Sequence, residues 1–170
     1  MDHVQDAAVV HETLRELVGE LLAACRQRKL MLTTAESCTG GLVAAALTAV
    51  PGSSSVYERG FVTYSNEAKT EILGVPKALL DRHGAVSEPV ARAMAEGAIA
   101  HSRADIAVSI TGIAGPDGGS AEKPVGLVHF ATARREGKTL AEKRVFPGDR
   151  DAIRLAAVAV ALRLIVGRLA

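Results

Sequence analysis

The 170-residue chain carries 20 basic and 19 acidic side chains, a net charge of +1 and 3% aromatic residues. That is the size of one domain burying about two thirds of its unfolded surface, with neither the charge nor the stacking surface that nucleic acid or an anionic membrane would require. Cys25 and Cys38 are too few for a disulfide scaffold, and five scattered histidines show no metal-ligand spacing, so no metal and no cofactor are expected and a reducing cytoplasm is the default compartment.

Asp2, Asp6, Glu12 and Glu16 among the first apolar residues do not give the layout of a signal peptide. Val10, Leu14, Leu17, Val18, Leu21, Leu22 and Cys25 recur at helical spacing and predict an amphipathic helix over Val9 to Arg28. Leu30 to Thr34 reads as a short strand, Glu36-Ser37-Cys38-Thr39-Gly40-Gly41 as a turn, and Leu42 to Val50 as a helix. A Pro-Gly-Ser loop from Pro51 precedes a strand over Val56 to Tyr64. Ser65 or Asn66 suits the cap of a helix through Lys69 to Leu73, stopped by Gly74, and Pro76 to His83 predicts another.

Ser87-Glu88-Pro89 has the form of a helix start, with Val90, Ala91, Met94 and Ala98 as its apolar face and an end near Ser102. Ile106 to Ile110 is a buried-type strand leading into the glycine-rich loop Thr111 to Gly119. Val125 to Ala133 and Thr139 to Phe146 predict a β-hairpin around Gly137. Asp151 to Leu169 reads as a last helix, apolar nearly all round, packing on the sheet and on another subunit; its longest apolar run, Leu155 to Leu162, is too short to cross a membrane. Strands alternating with helices, closed by a hairpin, give a single-domain three-layer α/β/α sandwich with a mixed central sheet over residues 1–170.

Two strands end in glycine-rich turns, and the first presents Ser37. A serine there can be a nucleophile beside the free N–H groups of the next helix, or simply that helix's N-cap, as can Thr39. Cys38 is a rival nucleophile, although no basic neighbour in sequence favours its thiolate. A serine nucleophile needs a base and no His-Asp pair stands out; a desolvated Lys69 meets that need, whereas a solvated one would only pair with Glu67 or Glu71. The Thr111 to Gly119 loop has the composition of a phosphate or carbonyl cradle, matching neither a P-loop nor a dinucleotide fingerprint. Arg150 stands near the positive end of the last helix, free to bind an anion or to pair with Asp149 or Asp151.

The runs TTAESCTGGLVAAALTAVPGSS, YERGFVTYSNEAKTEILGV, AVSEPVARAMAEGA and SITGIAGPDGGSAEKPVGLVHFA closely resemble, in order, the CinA C-terminal domain family over about residues 10 to 168. Its activity-bearing members are nicotinamide-nucleotide amidohydrolases. The resemblance implies an α/β/α fold, a cytoplasmic homo-oligomer (dimer or higher) and no metal. It further implies hydrolysis of the carboxamide of nicotinamide mononucleotide to nicotinate mononucleotide and ammonia, in NAD recycling. Carried onto this sequence, Ser37 falls on the nucleophile, Lys69 on the base, Tyr64 on a supporting catalytic position and Thr111 on a further site position. Arg150 lies in the region of a family arginine and is assigned to the substrate phosphate. Thr39, Gly40, Gly41, Gly112 and Gly115 complete the expected substrate-binding set. The alternative is a non-catalytic nucleotide-binding or scaffold module in which Ser37 only caps its helix.

Overall fold

The computed structural model describes the backbone of residues 2–169 and the side chains of residues 12–169. Helix α1 (Asp2–Arg28) is followed by strand β1 (Leu32–Glu36), helix α2 (Leu42–Thr48), a 3₁₀ turn at Ser53–Ser55 and strand β2 (Tyr57–Val62). Next come helices α3 (Asn66–Leu73), α4 (Lys77–His83) and α5 (Glu88–Ala100), strands β3 (Ile106–Gly112), β4 (Leu127–Arg134) and β5 (Leu140–Val145), and helix α6 (Arg150–Val166). The strand order is β2-β1-β3-β4-β5, with β2, β1 and β3 parallel, β4 antiparallel to β3, and β5 antiparallel to β4. The expected mixed sheet is therefore present, and the hairpin forms its antiparallel edge.

Alternation along β1, β3 and β4 sorts their side chains by size as well as by face. Leu32, Ile106, Val108, Ile110, Val128 and Phe130 join α1, α2 and α6 in one core. Ala35, Ala107, Ala131 and Ala133 face α5, which answers with Ala91, Ala95 and Ala98. Small residues on both surfaces let α5 approach closely enough for the Ser109 hydroxyl to donate to the Ala91 carbonyl at 2.6 Å. Gly97 extends that closeness to α3: a Cβ there would lie 2.0 Å from the Leu73 carbonyl oxygen.

The stripe expected on α1 is buried at Leu14, Val18, Leu21, Leu22 and Cys25; Val10 lies outside the described side chains. The nearly apolar α6 packs on β3 and β4, and its other side meets α1 and α2 of the same chain. No described helix is long and apolar enough to cross a membrane.

Candidate active site

The carboxyl ends of β1 and β3, the residues after β2, and the start of α6 meet at one edge of the sheet. Their cleft, of about 290 Å³, is lined by Ser37, Tyr64, Lys69, Thr111, Gly112, Gly115 and Arg150 among others, which is the size of a small-ligand site. Parallel strands place ligands at their carboxyl ends because the connecting loops diverge there.

Ser37 directly follows β1, its N–H donating to the Ile110 carbonyl at 3.0 Å. Lys69 reaches it from α3, whose start is fixed by the Ser65 side chain accepting the Ala68 N–H at 3.0 Å. The Lys69 Nζ lies 3.0 Å from Ser37 Oγ and donates to the Thr63 carbonyl at 2.9 Å. Only 1% of Lys69 is exposed, and among the described residues it has no ion-pair partner within 4.0 Å. Burial without a countercharge pushes its pKa below the ordinary lysine value. The Cys38 thiol, also buried, is raised to about 11, mainly by desolvation; it stays protonated at neutral pH and is a poor rival to Ser37.

A depressed lysine pKa has a thermodynamic signature. Between the folded value and the unfolded value of about 10.4, the unfolded chain holds a proton that the folded chain lacks, so stability rises with pH across that window. In Lys69→Met this dependence is absent. The variant's stability advantage over wild type, measured by denaturant unfolding, is expected to shrink as pH rises from 7 towards 10. A difference independent of pH would show that Lys69 is protonated in the folded protein.

Ser37 is not the cap of α2. That role belongs to Glu36, a fully buried carboxylate that accepts the N–H groups of Gly41 and Val43 at 3.1 Å through Oε2, and of Ala44 at 2.9 Å through Oε1. An anion at the positive end of a helix satisfies the first-turn donors that would otherwise be orphaned. Those donors, which the sequence suggests are free, are thus occupied. Thr39, Gly40 and Gly41 do not line the cleft. They build its turn, with Gly40 and Gly41 at positive φ. Sequence reading overlooks Glu36 because it places this residue in the turn, where an acid normally signals solvent; its position five residues before the N-cap glycine is the available clue.

The other expected positions converge on the same cleft. Thr111 donates to the Ala85 carbonyl at 2.9 Å. Arg150 donates to the Gly115 carbonyl through Nη1 at 2.7 Å and to the Tyr64 hydroxyl through Nη2 at 2.9 Å, bridging the glycine loop to the residues after β2. Tyr64 is 62% exposed, and its hydrogen bond is to Arg150 rather than to Ser37 or Lys69. Asp149, not Arg150, caps α6, accepting the Ala152 N–H at 2.9 Å. Asn66, Ala85, Val86 and Asp117 also belong to the wall; nothing in their spacing distinguishes them from ordinary loop and cap residues. Among the described residues no cluster of three His, Cys, Asp or Glu side chains is arranged to hold a metal.

A buried lysine without a countercharge, hydrogen-bonded to a serine at the end of a parallel strand, has the geometry that serine–lysine hydrolytic chemistry requires. Residues 12–169 match the CinA C-terminal domain, and the chain belongs to that family. It is 57% identical over 150 residues to the nicotinamide-nucleotide amidohydrolase PncC of Escherichia coli K12, covering 88% of this chain and 89% of that one. It is also 57% identical over 162 residues to a competence-damage inducible protein of Symbiobacterium thermophilum, matching 91% of this chain but spanning only 37% of that longer relative. The crystal structure of a competence/damage inducible protein from Agrobacterium tumefaciens superposes with a TM-score of 0.89 at 52% identity, covering 91% of this chain and 94% of that one.

Proposed function

We propose that this protein hydrolyses the carboxamide of nicotinamide mononucleotide to nicotinate mononucleotide and ammonia, returning the nucleotide to NAD synthesis. The observation that carries the proposal is the 3.0 Å contact between the buried Lys69 amine and Ser37 Oγ, in a chain 57% identical to an enzyme named for that activity. The main rival, a binding module in which Ser37 merely caps a helix, loses its basis because Glu36 is the cap.

With Lys69 neutral, its N–H donates to Thr63 and its lone pair takes the Ser37 proton as Oγ attacks the amide carbon. The resulting ammonium returns the proton to the amide nitrogen, and the carbon–nitrogen bond breaks with release of ammonia. The same amine then deprotonates the water that cleaves the acyl-serine, restoring Ser37. Tyr64 supports this chemistry through Arg150, whose guanidinium has five N–H donors and spends two on Gly115 and Tyr64. The remainder suit the substrate phosphate, with Thr111, Gly112 and Gly115 shaping the cleft for the ring and ribose; Thr39, Gly40 and Gly41 contribute by fixing the turn that presents Ser37. A cytoplasmic location and a homo-oligomer complete the proposal; association is supported by the apolar surface of Val62 and Tyr64, 50% and 62% exposed.

Ammonia release from nicotinamide mononucleotide by the purified chain tests the reading; none at all would sink it. Nicotinamide riboside lacks the phosphate, and one charge-assisted contact of ~1.5–3 kcal/mol realised in the transition state makes kcat/KM for the nucleotide at least tenfold higher. Equal values for the two substrates would show that no phosphate grip exists.

A further inference from the structure

The nucleophile turn leaves a small and specific set of unused donors. Glu36 takes the N–H groups of Gly41, Val43 and Ala44, Gly40 N–H goes to the Ser37 carbonyl at 2.9 Å, and Leu42 N–H goes to the Thr39 carbonyl at 3.1 Å. The N–H groups of Cys38 and Thr39, the two residues after the nucleophile, donate to no other described residue; the Cys38 N–H lies against its own thiol, and of the two residues Cys38 lines the cleft. A developing oxyanion on a carbon attacked by Ser37 requires donors placed there beforehand.

Something must hold those two peptides, since the turn carries two positive-φ glycines. The first is held through its carbonyl by Gly40. The second is held from outside the turn. Arg154, on the second turn of α6, donates through Nε to the Cys38 carbonyl at 3.1 Å and through Nη2 to the Thr39 carbonyl at 3.3 Å. With the Cys38 and Thr39 carbonyls both held by α6, the planar peptides on either side of Cys38 have little freedom to rotate, and the Cys38 N–H keeps its direction. The guanidinium also underlies Gly40, where a Cβ would sit 3.4 Å from Nη2. Its alternative partner, Asp151, is exposed and 4.0 Å away, so the turn is the better-formed contact.

We propose that the N–H of Cys38, which lines the cleft beside Ser37, supplies the oxyanion donor, and that Arg154 is a positioning residue that holds the turn presenting it. The α2 helix terminus has no part in it, because Glu36 fills that terminus. This inference rests on the serine reading of the site.

Arg154→Ala and Arg154→Lys test it, alongside Ser37→Ala. Loss of a preorganised donor lowers kcat and leaves ground-state binding untouched. Arg154→Ala is expected to lose roughly 10- to 100-fold in kcat, with KM for nicotinamide mononucleotide within about twofold of wild type. Partial recovery is expected in about 20 mM guanidinium chloride but not in equal sodium chloride. Arg154→Lys, which keeps the charge without the two-pronged grip, should fall between, and it decides the matter if the alanine variant fails to fold. A kcat within twofold of wild type, or a loss confined to KM, would overturn the positioning role. If Ser37→Ala is inactive while Arg154→Ala keeps its kcat, only this inference fails. If Ser37→Ala stays active, the serine reading fails and takes the inference with it.

Discussion

Ser37→Ala is expected to lower ammonia release from nicotinamide mononucleotide on the order of 10⁴-fold or more while leaving the fold intact. The size follows from covalent chemistry, because no neighbouring group replaces the attacking oxygen: the Cys38 thiol is raised to about 11 by burial and is not ionised at neutral pH. The preserved fold follows from geometry. The Ser37 hydroxyl bonds to Lys69, whereas the backbone at Ser37 is held by Ile110 and α2 is capped by Glu36. A thermal melt beside the assay checks both halves. Retention of half the activity in a folded variant would remove serine chemistry from the mechanism.

Lys69→Arg should be nearly as inactive as Lys69→Ala, with losses of about 10³-fold or more. Arginine preserves the positive charge but does not deprotonate in proteins, so it can neither take the Ser37 proton nor return it to the departing nitrogen. Wild-type kcat/KM should rise with pH through the Lys69 titration, at a value below that of an ordinary lysine, because burial disfavours the ammonium form. Folded Lys69→Arg protein within tenfold of wild type would sink the base assignment and move attention to Tyr64, the phenol that lines the same cleft.

The sequence carried the layers of this fold in its periodicity, and departures from it occur where chemistry overrides pattern. β1 is displaced two residues towards the site, from the expected Leu30 to Thr34 to Leu32–Glu36, because a buried glutamate with three backbone donors behaves as part of the strand. The hairpin strand β4 begins at Leu127 rather than Val125, since Gly126 at a φ of +93° turns the chain first. α6 starts at Arg150, one residue early, with Asp149 as its cap.

Ser37 and Lys69 are recognisable as residue types and by their resemblance to a family, but their 3.0 Å approach crosses 32 positions and no local spacing encodes it. Arg154 is hidden for the same reason. Its partners are 116 and 115 positions away, and on α6 it reads as one more surface charge.

The small-residue contact between α5 and α3 bears on how this enzyme can change over generations. Gly97 touches nothing in the cleft, but any side chain there would drive its Cβ into the Leu73 carbonyl at 2.0 Å. Relieving that clash needs α5 and α3 to separate by at least ~1 Å, and on α3 Leu73 lies one turn from Lys69. A hydrogen bond 3.0 Å long does not survive such a shift. Mutational intolerance therefore reaches beyond the residues that meet substrate, and a lineage that gains a side chain at position 97 must reseat its lysine by a second change or abandon the reaction.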